Sequence, residues 1–377
     1  MTEQKILYLH IGMPKTGTSS LQSFLVQNEN ALLQNNFCYP KMPGRYPMVS
    51  PNRNAHFLVG KVKNAAGVED ETLTKERFDL SIQRLEEAFQ KADNVILSDE
   101  AIWNTYTVKT PECIRQVVRF CDERNIELKV IVYLRRQDYY LESYWKQQIR
   151  KRGAVWEWQR VMKKTPGYIV LDYEKHLREI AEEVGDDHMI VQAYQEENFD
   201  LCSDFMHILN IDDLDSFYVL EEKVNLSLNN NYAEIKRILN QLLETENMQE
   251  WGKQQRWFEK VAVDCSRADK KQYESSMFSA GQREDFVKKY DGSNHRISEK
   301  YMQGRELFDQ ETESGSGLPQ WSRDNALQYE DTVLFFGMAY LEIKKELEAL
   351  KSNIQRIEAV QRRGLLHRIA DKCRMFL

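Results

Sequence analysis

Several features that would place this sequence quickly are missing from it. No stretch reaches the roughly 18 consecutive apolar residues that a membrane-spanning helix needs, so no span is expected. Residues 1–30 lack a basic segment followed by a long apolar run and do not read as a signal peptide. The six cysteines (Cys38, Cys113, Cys121, Cys202, Cys265, Cys373) are scattered, with no CxxC pair, which points to free thiols in a reducing cytosol. The seven histidines form no H-E-x-x-H motif, so no metal site is expected, and no nucleophilic Ser or Cys signature is present. Positive charge is short as well: 52 Lys and Arg against 59 Asp and Glu give a net charge of −7. That argues against a general nucleic-acid binder and leaves room for a local basic site.

What is present is ordinary for a globular chain: 42% hydrophobic and 29% charged residues. The length of 377 residues allows one large α/β domain with additions, or two smaller domains. Ile6 to Ile11 is a short apolar run ending at Gly12, the pattern of a buried strand. A helix follows through Leu21, Phe24 and Leu25, with Ser19 or Ser20 as its cap. Residues 38–56 read as an irregular loop rich in Pro, Asn and Arg. Leu80 to Ala92 has helical spacing, and Val95-Ile96-Leu97 is a second strand ending at Ser98-Asp99-Glu100. Further on, a helix is expected after Pro111, a strand at Leu128–Leu134, a helix at Asp138–Arg152 and a strand at Met189–Val191. Strands alternating with helices predict a three-layer α/β fold, a mostly parallel sheet covered on both faces. After about Asn198 the pattern is helical: Leu201–Leu209, Tyr232–Leu243, Arg283–Tyr301 and a long helix from about Tyr329. We expect an α/β domain over 1–310, a linker over 311–326 and a C-terminal helix with a basic tail over 327–377.

The opening strand leads into Met13-Pro14-Lys15-Thr16-Gly17-Thr18-Ser19-Ser20. Gly12 and Gly17 have the G-x-x-x-x-G spacing of a phosphate loop. A strand, a Gly-rich turn and a helix together make an anion site, because backbone N–H groups converge and the helix N-terminus adds positive potential. The Walker form would place a lysine directly after the second glycine; here Thr18 stands there and the lysine is Lys15, inside the turn. A lysine so placed lies near a 5′-phosphate and whatever leaves from it. Tyr8 to Gln22 (YLHIGMPKTGTSSLQ) closely resembles the 5′-phosphosulfate loop of the PAPS-dependent sulfotransferase superfamily. Arg135, at the end of the Leu128–Leu134 strand, and Ser143, eight residues later, resemble its second motif, which binds the 3′-phosphate of PAPS. Asn225-Leu-Ser-Leu and Phe286–Phe308, with Asn294 inside it, are similar to bacterial-type members.

The resemblance implies the P-loop-like sulfotransferase fold with PAPS as co-substrate, no metal, and transfer of a sulfuryl group to an acceptor hydroxyl or amine. It implies that Lys15 stabilises the leaving phosphate and that Thr16, Gly17, Thr18, Ser19 and Ser20 line the donor site with Arg135 and Ser143. The base is expected at the end of the second strand: Glu100 first, Asp99 second, with His56 of the loop third. A glycan or glycolipid acceptor is expected. The aromatic residues Tyr139, Tyr140, Tyr144, Trp145, Trp156 and Trp158 stand near Lys146, Arg150, Lys151 and Arg152, and Lys41, Arg45 and Arg53 lie in the loop. The rival readings are a P-loop kinase or NTPase, in which Ser98-Asp99-Glu100 would be a Walker B end, and a non-catalytic nucleotide-binding scaffold.

The C-terminal helix carries Tyr340, Ile343, Leu347, Leu350, Ile354 and Ile357 at spacings of 3, 4, 3, 4, 3. That is an a/d seam, which packs on its own domain or forms a homodimer. Residues 356–377 hold six Lys and Arg among apolar residues, the composition of a peripheral membrane contact or of a solvated tail. A cytoplasmic protein is the expected setting, with peripheral contact at the inner membrane face as the alternative to a solvated tail.

Overall fold

The computed structural model describes residues 4–47, 49–103, 110–195, 199–218, 228–245, 251–268, 271–308 and 317–374, with side chains to residue 358. In chain order the elements begin with β1 (Ile6–His10), α1 (Thr18–Gln27), α2 (Glu29–Gln34), β2 (Phe37–Cys38), α3 (Glu71–Ala88) and β3 (Asn94–Ser98). Then come α4 (Thr110–Asp122), β4 (Glu127–Leu134), α5 (Gln137–Arg152), α6 (Trp158–Lys163), α7 (Tyr173–Val184), β5 (Met189–Ala193) and α8 (Leu201–Ile208). The remainder is helical: α9 (Asn230–Thr245), α10 (Trp251–Ala268), α11 (Ala280–Lys288), α12 (Asp291–Tyr301) and α13 (Gln328–Arg374). Two compact units form. One comprises residues 1–147, 156–227 and 276–320; the other comprises 148–155, 228–275 and 321–377.

The first unit is built on a five-stranded, all-parallel sheet of order β2-β3-β1-β4-β5. Tyr8, Ile96, Ile131 and Tyr133 face one side, where Leu21, Phe24 and Leu25 of α1, Leu32 of α2 and Phe205 and Met206 of α8 close a core. Leu7, Leu9, Val95, Leu97, Val130 and Val132 alternate onto the other side and are fully buried. There α4 and α7 pack with Ile114, Val117, Leu177 and Ile180 buried. The three layers are those read from the sequence, because strands covered on both faces show as continuous apolar runs. Since all strands run the same way, β1, β3 and β4 deliver their C-terminal ends to one edge.

Several boundaries differ from the sequence reading. α1 is capped by Gly17 in the left-handed conformation (φ 75°), with no side-chain cap, rather than by Ser19 or Ser20. α3 begins at Glu71 because the Asp70 side chain accepts from Leu73 N, and its first turns bury almost nothing. The span Arg283–Tyr301 is two helices, broken at Lys289 and Tyr290. Phe37–Cys38, at the edge of the supposed loop, pairs with β3.

In the second unit, α13 packs on α9 and α10, which gathers residues 228–275 with the C-terminal helix instead of with the 1–310 domain. Part of the expected 311–326 linker, residues 311–316, lies outside the described residues, as does Asn225. Of the 356–377 tail, only the helical backbone to Arg374 is described beyond residue 358. Among the described residues, no helix is long and apolar enough to cross a membrane.

Candidate active site

The loop after β1 is held from both sides. Ile11 N donates to Ile131 O (3.0 Å), Tyr133 N to Gly12 O (2.9 Å) and Met13 N to Tyr133 O (3.2 Å), so the ladder to β4 continues past the strand. Arg135, just beyond β4, then meets the turn: its Nη1 donates to Lys15 O (3.0 Å) and its N to Met13 Sδ (3.3 Å). Lys15 has φ 74°, a left-handed conformation in which a side chain is strained by about 1–3 kcal/mol. Lys15 and Gly17, both left-handed, bracket Thr16, an arrangement that lets successive N–H groups converge on an anion. Thr16 is buried and closes the turn, its Oγ1 donating to Met13 O (2.7 Å). The first turn of α1 has no acidic residue. Its positive end therefore faces the loop unopposed by its own side chains.

Arg135 also lies over the Tyr194 ring, 5.8 Å from its centroid, and its carbonyl accepts from Tyr173 Oη (2.8 Å). Ser143 occupies the second turn of α5, partly exposed. The start of α5 is fixed by a reciprocal pair: Gln137 Nε2 donates to Asn294 Oδ1 (2.8 Å) and Asn294 Nδ2 to Gln137 Oε1 (3.2 Å). Beside it, Asp138 pairs with Arg136 (2.7 Å) and with Arg283, and both guanidiniums flank the Tyr139 ring.

The opposite wall is the end of β3. A Cβ at Gly12, where φ is 102°, would stand 2.9 Å from Glu100 Cβ and 3.0 Å from its Cα. Glycine is thus needed at position 12, and Glu100 abuts the loop. Its carboxylate accepts from Gln22 Nε2 (3.0 Å) on α1 and pairs with Arg53 Nη1 (3.2 Å). Asp99, its neighbour in sequence, shares the Arg53 guanidinium with it. It is fully buried, pairs with Arg53 and takes a 2.8 Å contact from His56 Nδ1. Burial works against its charge, but the Arg53 guanidinium and the His56 ring overcome that and hold the carboxyl at about 2. Asp99 thus stands as the buried counter-ion of Arg53 and His56. Of the three candidates, Glu100 is the one built against the loop.

Sequence reasoning placed Arg53 with the acceptor and overlooked Gln22, Asn54 and Ser98. Asn54 stitches the 38–56 loop alongside β3, donating to Ile96 O (2.9 Å) and accepting from Ser98 N (2.7 Å), which brings Arg53 and His56 to Asp99. These two partners lie more than forty residues away, and no local signal marks Asn54. The aromatic cluster is a further correction: Tyr140, Tyr144, Trp145 and Trp158 are buried, and Trp145 Nε1 donates to Trp156 O (2.9 Å). They build the core and offer no stacking face to a ligand. Lys146 pairs with Glu142, and Arg150 and Lys151 both pair with Glu259.

Beneath the loop, His10 is fully buried, its Nδ1 sharing a 2.8 Å hydrogen bond with Ser98 Oγ, and no partner meets its Nε2 among the described residues. Burial lowers it to about 4, against the opposing pull of Asp99. The folded value lies below the unfolded one of about 6.5, so its contribution is complete above pH 6.5 and is lost as pH falls toward 4. The loss amounts to roughly 3 kcal/mol. Asp99 loses its own contribution only lower, from about pH 3.9 down to about 2. We expect the melting temperature to fall between pH 6.5 and 4.5, and the His10→Gln variant to show a shallower fall. Equal slopes would remove His10 as the cause.

A surface cavity of about 350 Å³, lined in part by Asp200, Asp204 and Asp212, contains no residue of the loop. Its acidic wall suits an anionic donor poorly.

No family model matches this chain, and no curated protein matches it. Two solved structures that it resembles are sulfotransferases. One is the sulfotransferase from Alicyclobacillus acidocaldarius, at 14% identity and a TM-score of 0.37, covering 67% of this chain and 99% of that one. Another is the sulfotransferase domain from the curacin biosynthetic pathway, at 12% identity and a TM-score of 0.31, covering 68% and 97%.

Proposed function

We propose that this protein is a PAPS-dependent sulfotransferase. The observation that carries the reading is the grip of Arg135 on the carbonyl of Lys15, which joins the two donor motifs into one site. The residues fit such a donor. Left-handed Lys15 and Gly17 shape an anion cradle, side chains at Gly12 and Gly17 would crowd Glu100 and Leu201, and two cations stand at the cradle. Bound there, PAPS supplies an activated sulfuryl group on a phosphate leaving group. The amides of Thr16, Gly17 and Thr18, with Ser19 and Ser20, hold the 5′ side. The Lys15 ammonium balances the negative charge that grows on the phosphate oxygen. Arg135 holds the 3′-phosphate together with Ser143. Glu100 accepts the proton of the acceptor hydroxyl as that oxygen bonds to sulfur.

The kinase reading needs Asp99 as a magnesium ligand. Arg53 and His56 already occupy that carboxylate, which favours the sulfotransferase reading. The acceptor is proposed to be a glycan or glycolipid hydroxyl, approaching the 38–56 loop where Lys41 and Arg45 are exposed. The free thiols Cys38, Cys113, Cys121, Cys202 and Cys265 agree with a reducing, cytoplasmic setting. A thermal-shift comparison tests the donor. PAPS and its 3′,5′-bisphosphate product are expected to raise the melting temperature and Mg·ATP to leave it nearly unchanged; the reverse order would defeat the proposal. A labelled-sulfate screen over polysaccharides, lipid-linked glycans and small phenols identifies the acceptor.

A further inference from the structure

The seam on α13 extends further than the sequence reading placed it. Val333 and Phe336 continue its register, giving eight consecutive apolar a and d positions from 333 to 357, every one between 48% and 65% exposed. At 1.5 Å per residue the stripe is about 36 Å long. It is not the face by which α13 joins its own unit. That face is formed by Asp331, Phe335 and Ala339, all buried, with Glu342 paired to Lys260 and Glu346 accepting from Trp257 Nε1 (3.1 Å) on α10. A monomer would thus leave a continuous apolar stripe in water while an adjacent face of the same helix is already packed.

We infer that this stripe is a parallel, in-register coiled coil with a second copy of the chain. The charges beside the seam select both partner and direction. Lys344 and Lys351 stand at e positions and Glu346 at g. In a parallel pair, g of one helix faces the next e of its partner, so Glu346 meets Lys351 twice by symmetry. An antiparallel pair would set e against e and bring Lys344 toward Lys351, like against like. A two-fold axis also pairs each a or d residue with its own copy, so the size pattern matches itself without a second sequence. The inference is independent of the donor-site reading.

Sedimentation equilibrium of the full chain is expected to show a concentration-dependent dimer across the micromolar range. The double variant Leu347→Glu with Leu350→Glu is expected to be monomeric, with the melting temperature of the α/β unit unchanged because both residues are exposed. The Ile354→Cys variant should form an intermolecular disulfide on mild oxidation that the parent chain does not form. A monomeric parent, whether free or bound to anionic vesicles, would overturn the inference, as would a dimer that survives the double variant. A dimer in which the Ile354→Cys variant forms no cross-link would also overturn it, since it would not be parallel and in register.

Discussion

Glu100→Gln is expected to lower kcat by about 10²–10⁴-fold while binding of the 3′,5′-bisphosphate product stays within a few fold. Glu100 is the candidate base whose Cα and Cβ abut the loop at Gly12, and Gln22 and Arg53 hold its carboxylate from two sides. The amide keeps the shape and one acceptor oxygen but cannot take a proton. It also turns one N–H toward a donor that formerly met an oxygen, so some loss of stability is expected, and the assay belongs well below the variant's melting temperature. Single-turnover rates at saturating donor separate the chemical step from binding. A kcat within threefold of the parent would move proton acceptance elsewhere. The next candidate is His56, whose Nδ1 side Asp99 fixes, leaving Nε2 as the nitrogen to act.

Lys15→Ala is expected to lower kcat by about 10²–10³-fold, the usual effect of removing one preorganised donor from a developing negative charge. The backbone at Lys15 is left-handed and its carbonyl is tied to Arg135. The alanine variant therefore keeps the strain and the loop geometry and loses only the ammonium. Lys15→Gly supplies the control: glycine accepts φ 74° without strain, so this variant should be at least as stable as the alanine variant and equally slow. A glycine variant that retained activity would show that the loop's shape, and not the ammonium, does the catalytic work.

The parts of this protein legible in its sequence were those whose signals are local. β1, β3 and β4 are apolar runs because both faces of a parallel sheet are covered. Lys15 and Arg135 stood out because each follows such a strand at a motif spacing. The elements that escaped lack a local signature. β2 is two residues long and exists only by pairing with β3. The first turns of α3 bury almost nothing, so no apolar stripe announces them. The break between α11 and α12 has no proline, although Ser279 and Gln282 form a capping box that would have marked the start of α11. The second wall of the site was hidden for another reason. Gln22, Arg53 and His10 meet Glu100, Asp99 and Ser98 across 78, 46 and 88 residues of chain, and only the sheet order brings them together.

Arg135 together with Ser143 would make this a 3′-phosphate site as well as a phosphate loop. Equilibrium titration of adenosine 3′,5′-bisphosphate against 5′-AMP, on the parent chain and on Arg135→Met, tests it most directly. The expected result is at least tenfold tighter binding of the bisphosphate by the parent, about 1.4 kcal/mol, and loss of that preference in Arg135→Met. Equal affinity of the parent for the two nucleotides, or a preference that survives in Arg135→Met, would contradict it.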